Sequence, residues 1–199
     1  MFVRNWMSAP AIVVPPVVPA GAALGFMGKR RIRRLAVVQD ATLVGIVTQG
    51  DLVGVIGHGR KVALNPELTV GDVMTREPVV VQRDDTIEAA AQLMLREKVS
   101  GLPVMDGEQL VGMITESDLF RAMCDLMGLG EPGARVVLSI PEGDDLIAAL
   151  GRRSAGKDVR SLVTFRDPSS GRWDVVMRVR GKAASGGGRR KARPSRPAV

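Results

Sequence analysis

The chain has 199 residues, 45% of them hydrophobic, so it is long enough to bury a core of ordinary size in one or two domains. A single cysteine excludes a disulfide framework and fits a cytoplasmic location. The formal net charge is +7, but residues 182–199 hold six cations and no acid. The rest of the chain is therefore nearly neutral, and the high isoelectric point does not describe the surface of a folded domain.

The composition gives little support to a zinc-binding protein or to an enzyme that uses a nucleophile and a base. A closed zinc site needs four nitrogen or sulfur ligands, and the chain has one histidine and one cysteine. The histidine, His58, lies between two glycines in a predicted loop, so a nucleophile–base pair has no well-held base. We therefore predict that the chain is not an enzyme and holds no metal.

Residues 5–28 contain no charged side chain, which raises the question of a signal peptide or a membrane span. Prolines at positions 10, 15, 16 and 19 would interrupt any spanning helix. We expect this segment to be core material and predict no membrane association.

Residues 1–57 predict a β-α-β-β-α order. A strand at residues 11–14 is followed by a helix at 20–30, strands at 35–38 and 43–47, and a short helix at 51–56. The first helix contains Gly21, Gly25 and Gly28, each costing about 1 kcal/mol relative to alanine. We expect this helix to depend on packing against the rest of the chain.

The same order recurs after a linker at residues 58–68. A strand at 78–82 leads to a helix that begins near Thr86, and strands at 102–105 and 110–114 are joined by a turn at Asp106-Gly107. A last helix covers residues 115–126. The apolar positions of the first of these two helices recur at helical spacing: Ile87, Ala90, Ala91, Met94 and Leu95.

Two stretches with the same pattern mark the repeat. Gly45-Ile-Val-Thr-Gln-Gly-Asp51 recurs further along the chain as Gly112-Met-Ile-Thr-Glu-Ser-Asp118. Met7 and Met74, and Leu35 and Leu102, are separated by the same offset as these two stretches. One structural unit is therefore used twice.

These motifs resemble those of CBS domains, which occur as tandem pairs. Other similar segments are Val73-Met74-Thr75, Pro78-Val79-Val80 and Gly101-Leu102-Pro103-Val104, with first-repeat counterparts Trp6-Met7-Ser8, Pro10-Ala11-Ile12 and Arg34-Leu35-Ala36-Val37. The resemblance implies an α+β fold of two CBS domains, the first at residues 1–57 and the second at residues 69–126.

Two interpretations of the threonine–aspartate pairs remain open. In the first, Thr48 with Asp51 and Thr115 with Asp118 are capping boxes, which satisfy backbone donors at a helix start without any ligand. In the second, the helix start and threonine hydroxyl bind a phosphate while the aspartate accepts the hydroxyls of a ribose. The combination favours a ribonucleotide over a bare anion.

The family resemblance implies the second interpretation. CBS pairs bind adenosine-containing ligands (AMP, ADP, ATP or S-adenosylmethionine) as regulatory rather than obligatory cofactors. Thr115 and Asp118 would serve one cleft and Thr48 and Asp51 the other. Adenine would lie against Ala11-Ile12 or Val79-Val80.

The two clefts are expected to be unequal. At the entry to the second strand, Arg33 and Arg34 in the first repeat correspond to Ser100 and Gly101 in the second. We expect the arginines to contact phosphate and to give Thr48 and Asp51 the stronger phosphate environment.

Residues 133–181 predict a β-α-β-β order, with the helix at residues 142–153, similar to the first part of an ACT domain. The resemblance is to acetoin-utilisation-type CBS proteins, although the last helix and strand of an ACT domain are missing. Residues 182–199 read as a disordered basic tail, the only part expected to bind nucleic acid.

The predicted function is that of a regulatory module. An adenosine-containing ligand would bind between the two CBS domains and change the assembly of the chain or its hold on an unknown target protein. The resemblance implies a homodimer formed through CBS helices. The alternatives are a structural or dimerisation module whose threonine–aspartate pairs are caps alone, and weak nucleic-acid binding by the tail.

Overall fold

The structure is a computed structural model that describes residues 1–56, 68–130 and 132–180. It divides into two compact units, Met1–Ala122 and a second unit that begins at Met123. His58, almost all of the predicted linker and the basic tail lie outside the described residues. None of the described helices is long and apolar enough to cross a membrane.

The first unit contains both repeats in the predicted β-α-β-β-α order. The first repeat comprises β1 (Val13–Val14), α1 (Ala20–Arg30), β2 (Arg34–Gln39), β3 (Thr42–Thr48) and α2 (Gln49–Ile56), preceded by a short 3-10 helix, Val3–Asn5. The second comprises α3 (Val70–Val73), β4 (Thr75–Arg76), β5 (Val81–Gln82), α4 (Ile87–Glu97), β6 (Gly101–Asp106), β7 (Gln109–Thr115) and α5 (Glu116–Leu126).

The opening strands of both repeats are shorter than predicted. β1 and β5 have two residues each, so Ala11-Ile12 and Val79-Val80 lie outside any strand. Each segment follows a proline, Pro10 or Pro78, which has no N–H for a sheet hydrogen bond. These segments are approaches to a strand, and the Ile12 carbonyl oxygen still accepts the N–H of Ala36 in β2 at 3.3 Å.

The segment before the opening strand of each repeat pairs with the sheet of the other repeat. These segments, called the leading segments below, contain Ser8 in the first repeat and Thr75 in the second. The strand β4 lies near the start of the second repeat but pairs with β3 of the first, with Ile46 opposite Thr75. In return, Ser8 exchanges two backbone hydrogen bonds with Met113 in β7, of 2.9 and 3.0 Å. The sheets are consequently β1-β2-β3-β4 and β5-β6-β7, with Ser8 bridged to the edge of the second.

The hydrophobic cores show the same exchange. Val3, near the start of the first repeat, is fully buried in the core of the second repeat with Leu102 and Ile114. Val70, at the equivalent position near the start of the second repeat, is fully buried in the core of the first repeat with Leu35. Neither repeat therefore has a complete core made only from its own residues.

Two glycines of the repeat motif allow the exchanged segments to approach. A Cβ at Gly112 would lie 2.8 Å from both Met7 Sδ and the carbonyl oxygen of Ser8, and a Cβ at Gly45 would lie 2.9 Å from the carbonyl oxygen of Thr75. These distances are shorter than ordinary contacts, and a backbone atom cannot turn away as a flexible side chain can. The motif glycines are thus needed for contact between repeats.

We predict that Gly112→Ala and Gly45→Ala each lower the free energy of unfolding by about 1–3 kcal/mol, because the added methyl group displaces a paired segment. Urea unfolding followed by circular dichroism measures the change. Gly25→Ala, on the exposed face of α1 with open space around it, is the control and should raise stability by up to about 1 kcal/mol. Equal effects at all three positions would contradict the close-approach argument.

The second unit has the predicted β-α-β-β order: β8 (Ala134–Ile140), α6 (Leu146–Ser154), β9 (Val159–Arg166) and β10 (Trp173–Val179). The helix starts later than predicted, because the Asp145 carboxylate accepts the N–H of Ala148 and caps it there. The strands form an antiparallel sheet of order β8-β10-β9, as in the first part of a β-α-β-β-α-β fold. The ACT-like assignment itself remains a prediction.

Candidate functional site

The threonine and aspartate of each repeat motif are hydrogen-bonded to each other at the start of the helix that follows. Asp118 Oδ2 accepts the backbone N–H of Thr115 at 2.8 Å and its hydroxyl at 2.6 Å. Asp51 Oδ2 accepts the same two donors of Thr48, each at 2.8 Å. The reciprocal bond, from the Asp51 N–H to the Thr48 hydroxyl at 3.3 Å, completes a capping box at α2. At α5 the cap consists of the two bonds in which Asp118 accepts the Thr115 donors.

In the ribonucleotide interpretation, the threonine hydroxyl and the backbone N–H groups at the helix start donate hydrogen bonds to a phosphate. At α5 these donors already have acceptors within the protein. The Thr115 hydroxyl donates to Asp118 rather than into a cleft. The backbone N–H of Glu116 donates to the carbonyl oxygen of Ser100 at 3.3 Å. Positive charge for a phosphate must therefore come largely from side chains.

A cleft of about 700 Å³ lies beside the Thr115–Asp118 cap. Its size is within the range of small-molecule sites in proteins. Three segments line it: the approach to β1, the turn between α1 and β2, and the end of β7 with the start of α5. The lining residues are Met7, Ser8, Ala9, Pro10, Ala11, Ile12, Arg31, Ile32, Arg33, Arg34, Met113, Thr115, Ser117, Asp118 and Arg121.

The cleft has a strongly positive lining. Four arginines and one aspartate are its charged residues. Its lining also includes apolar side chains, among them Pro10, Ile12 and Ile32. An apolar surface beside several guanidinium groups suits a ligand with a flat, weakly polar part and an anionic part.

Arg34 connects the two repeats at this cleft. Its guanidinium donates to the Ser100 carbonyl oxygen, and to the Ser100 hydroxyl at 2.7 Å. Gly101 leaves the space for it, because a Cβ there would lie 2.8 Å from Arg34 Cζ. Ser100 and Gly101 thus position a cation of the other repeat.

Burial lowers the pKa of the Arg34 guanidinium, and the neighbouring Arg33 charge lowers it further, while the carboxylates of Glu116 and Asp118 act in the opposite direction. An arginine remains charged at neutral pH despite such a shift. The repulsion between Arg33 and Arg34 means that an anion bound between them would relieve unfavourable electrostatic energy.

Arg121 lies one helical turn beyond the cap and pairs with it. Its Nη2 donates to Asp118 Oδ1 at 2.5 Å, while Asp118 Oδ2 is held by Thr115. Asp118 is buried, so these hydrogen bonds replace the contacts that its carboxylate would make with water.

Half of the predicted site residues come together in this cleft: Ala11, Ile12, Arg33, Arg34, Thr115 and Asp118. The expected grouping was wrong in one respect. Arg33 and Arg34 line the cleft of Thr115 and Asp118, not a cleft with Thr48 and Asp51. The cause is the exchange of segments, which brings the β2 entry of one repeat to the β7 end of the other.

The remaining predicted residues do not line this cleft. Thr48 and Asp51 cap α2, Ser100 and Gly101 hold Arg34, and Val79 and Val80 are exposed beside β5.

Sequence reasoning missed Arg31 and Arg121 as site residues. Arg31 follows the last residue of α1, and its left-handed backbone (φ 54°) ends the helix beside the cleft. Arg121 had a signal that could have been used: it follows Asp118 by three positions on a helix, the spacing at which side chains meet.

The family model of the CBS domain matches residues 3–58 and 70–125. The chain therefore belongs to the CBS-domain family and contains two such domains in tandem. Curated relatives are 31% and 30% identical to it, and the chain spans 63% and 62% of their own lengths.

Solved CBS pairs share the fold. CBSX2 from Arabidopsis thaliana, in complex with AMP, is 30% identical with a TM-score of 0.54, over 61% of this chain and 95% of that chain. The CBS domain pair of protein MJ0100, in complex with 5-methylthioadenosine and S-adenosyl-L-methionine, is 26% identical with a TM-score of 0.55, over 62% and 95%. A protein from Vibrio cholerae described as a putative acetoin utilization protein (AcuB) is 26% identical with a TM-score of 0.57, over 66% and 96%.

We predict that Asp118→Ala lowers the free energy of unfolding by about 1–3 kcal/mol, because it leaves the Thr115 donors without their acceptor at a buried position. Chemical denaturation measures the loss. Glu108→Ala, which removes an exposed carboxylate from the β6–β7 turn, should change stability by no more than about 0.5 kcal/mol. Equal values for the two variants would show that the cap contributes nothing beyond a surface charge.

Proposed function

We propose that the chain is a regulatory module whose cleft at Asp118 binds an adenosine-containing ligand, and that it has no catalytic activity of its own. The observation that carries this proposal is the convergence of four arginines and a buried, preorganised carboxylate in one cleft. The complexes of CBSX2 with AMP and of MJ0100 with S-adenosyl-L-methionine support the adenosine class.

Each part of the ligand has a matching group in the cleft. The fixed carboxylate of Asp118 is an acceptor for ribose hydroxyls. The guanidinium groups of Arg31, Arg33 and Arg34 match phosphate oxygens in charge and geometry. The segment Pro10-Ala11-Ile12 offers an apolar surface for adenine.

A structural role for the caps alone is the competing interpretation. The hydrogen bonds of Thr48 and Asp51 are explained by capping. Capping does not explain why like charges gather beside Asp118, since their mutual repulsion raises the free energy of the folded chain. The negative charge of an anionic ligand would offset the repulsion among these arginines, so we favour a binding function for this cleft.

Regulation would follow from the position of the cleft between exchanged segments. The ligand would contact the approach to β1 and the start of α5, which belong to different repeats. It would shift the packing of the repeats only to the extent that it binds one arrangement better than another. The signal would pass to a separate target protein or to the assembly state of the chain.

We expect isothermal titration calorimetry to detect binding of an adenosine ligand among AMP, ADP, ATP and S-adenosylmethionine. Asp118→Ala should abolish the heat, because the ribose loses its acceptor. Arg33→Ala should weaken a phosphate-bearing ligand by about tenfold or more, through the loss of a charge-assisted hydrogen bond.

The repeat itself supplies a matched control for this experiment. Asp51→Ala removes the equivalent carboxylate of the first repeat, which is not among the residues of this cleft, and should leave this binding event intact. Absence of heat with every ligand, or equal losses in the Asp51 and Asp118 variants, would contradict the assignment of the site.

We also propose that the chain forms a homodimer through its CBS helices and resides in the cytoplasm. Leu95 on α4 and Phe120 on α5 are 79% and 66% exposed, although both are large and apolar. Met123 and Leu126 follow Phe120 along α5 at intervals of three residues and are also exposed. Exposed apolar side chains in a row along one helix, as on α5, are typical of a surface that another protein covers.

Phe120→Asp should convert a dimer to a monomer, because it places a charge in an apolar interface, and light scattering after size-exclusion chromatography measures the mass. Phe165→Asp is the control, since Phe165 is a comparably exposed phenylalanine on β9. A dimer that survives Phe120→Asp would exclude this face.

A further inference from the structure

Arg121 pairs with the carboxylate oxygen of Asp118 that the helix cap does not use. Asp118 uses Oδ2 for the two donors of Thr115 and Oδ1 for the guanidinium of Arg121. In the free protein, the carboxylate therefore presents its remaining oxygen to an arginine rather than to the cleft. A ribose hydroxyl would have to share Oδ1 with this ion pair or displace it.

The two partners of the ion pair differ in how firmly they are held. The Asp118 side chain is 3% exposed and fixed by the helix cap, whereas the Arg121 side chain is 68% exposed. Besides the ion pair, Arg121 Nε donates to the Ser117 carbonyl oxygen at 3.3 Å. Contacts of an exposed arginine hold it weakly, and its long side chain reaches several positions at little cost. Displacement of the pair would therefore move Arg121 and leave Asp118 in place.

The first repeat has no equivalent device. Gly54 stands at the position of the first repeat that corresponds to Arg121, so Asp51 has no guanidinium one turn along its helix. The Asp118–Arg121 pair is consequently a property of one cleft and not of the repeated motif. A role in capping alone would not require it, since Thr48 and Asp51 form their cap without such a partner.

We propose that Arg121 is a latch that selects phosphate-bearing adenosine ligands. It covers Asp118 Oδ1 in the free protein and transfers its guanidinium to a ligand phosphate when the ribose takes its place. A ligand with phosphate compensates for the ion pair that it breaks. A neutral nucleoside does not, and the sulfonium cation of S-adenosylmethionine adds repulsion from the remaining arginines.

This inference rests on the proposed function of the cleft and goes beyond it by choosing among ligand classes. The selected class is the adenine nucleotides AMP, ADP and ATP, with a preference for longer phosphate chains because four guanidinium groups are available. Adenosine and S-adenosylmethionine are the rejected ligands.

The test compares Arg121→Ala with the intact chain by calorimetry, using ATP, AMP, adenosine and S-adenosylmethionine. ATP should bind the variant about ten- to a hundredfold more weakly, because a charge-assisted hydrogen bond to phosphate is lost. Adenosine and S-adenosylmethionine should bind it about two- to fivefold more tightly, because Asp118 Oδ1 is uncovered and one repulsive charge is gone.

Arg96→Ala is the matched control, since Arg96 is an exposed arginine in a surface ion pair with Glu97 and does not line the cleft. It should leave every affinity unchanged. Arg121→Gln, which keeps most of the side-chain length, should reproduce the changes seen with alanine. Thermal unfolding of each variant checks that the fold is retained.

The possible outcomes distinguish failure of the role proposed for Arg121 from failure of the proposed binding function. Equal weakening of all four ligands by Arg121→Ala would show a merely structural role and overturn the latch while the proposed function stands. Tighter binding of S-adenosylmethionine than of ATP to the intact chain would also overturn it. Absence of binding by every ligand in the intact chain and in Arg121→Ala would remove the proposed function, and the latch with it.

Discussion

The exchange of leading segments between the two repeats is the constraint on which the rest of the first unit depends. Val3 and Val70 each fill the core of the other repeat, and Ser8 and Thr75 each pair with the sheet of the other repeat. The exchange requires Gly45 and Gly112, because any side chain there would meet the incoming backbone. Two sequence repeats thereby become one cooperative structure, since separating them would expose both cores.

The same exchange builds the cleft. The approach to β1 crosses to the second repeat with Ser8 and then returns to the first sheet at Val13. It thus forms a wall between the arginine-rich entry to β2 and the helix start at Thr115. The cleft is therefore shared between repeats, and substitutions that separate the repeats are expected to remove the site as well as stability.

Capping and ligand binding are compatible roles for Asp118 because they use different oxygens. Oδ2 serves the helix, and Oδ1 is the oxygen over which Arg121 and a ribose would compete. The capping bonds fix the carboxylate before any ligand arrives, which lowers the entropy lost on binding. A helix cap common to both repeats is thus also suited to hold a ligand at Asp118, where arginines line the cleft beside it.

The sequence by itself determined the repeat and the order of its elements, because these depend on local spacing and on composition. It also offered the helix caps as one interpretation, and half of the site residues that it predicted line the cleft. Only the tertiary structure decided that Arg33 and Arg34 lie with Thr115 and Asp118. Chain order placed these arginines near Thr48, to which their strand is indeed paired, with Arg34 opposite Thr48 in β2 and β3. The side chain of Arg34 nevertheless reaches Ser100 of the other repeat. Local patterns describe each repeat alone, whereas the packing of one repeat on the other determines which side chains share a cleft.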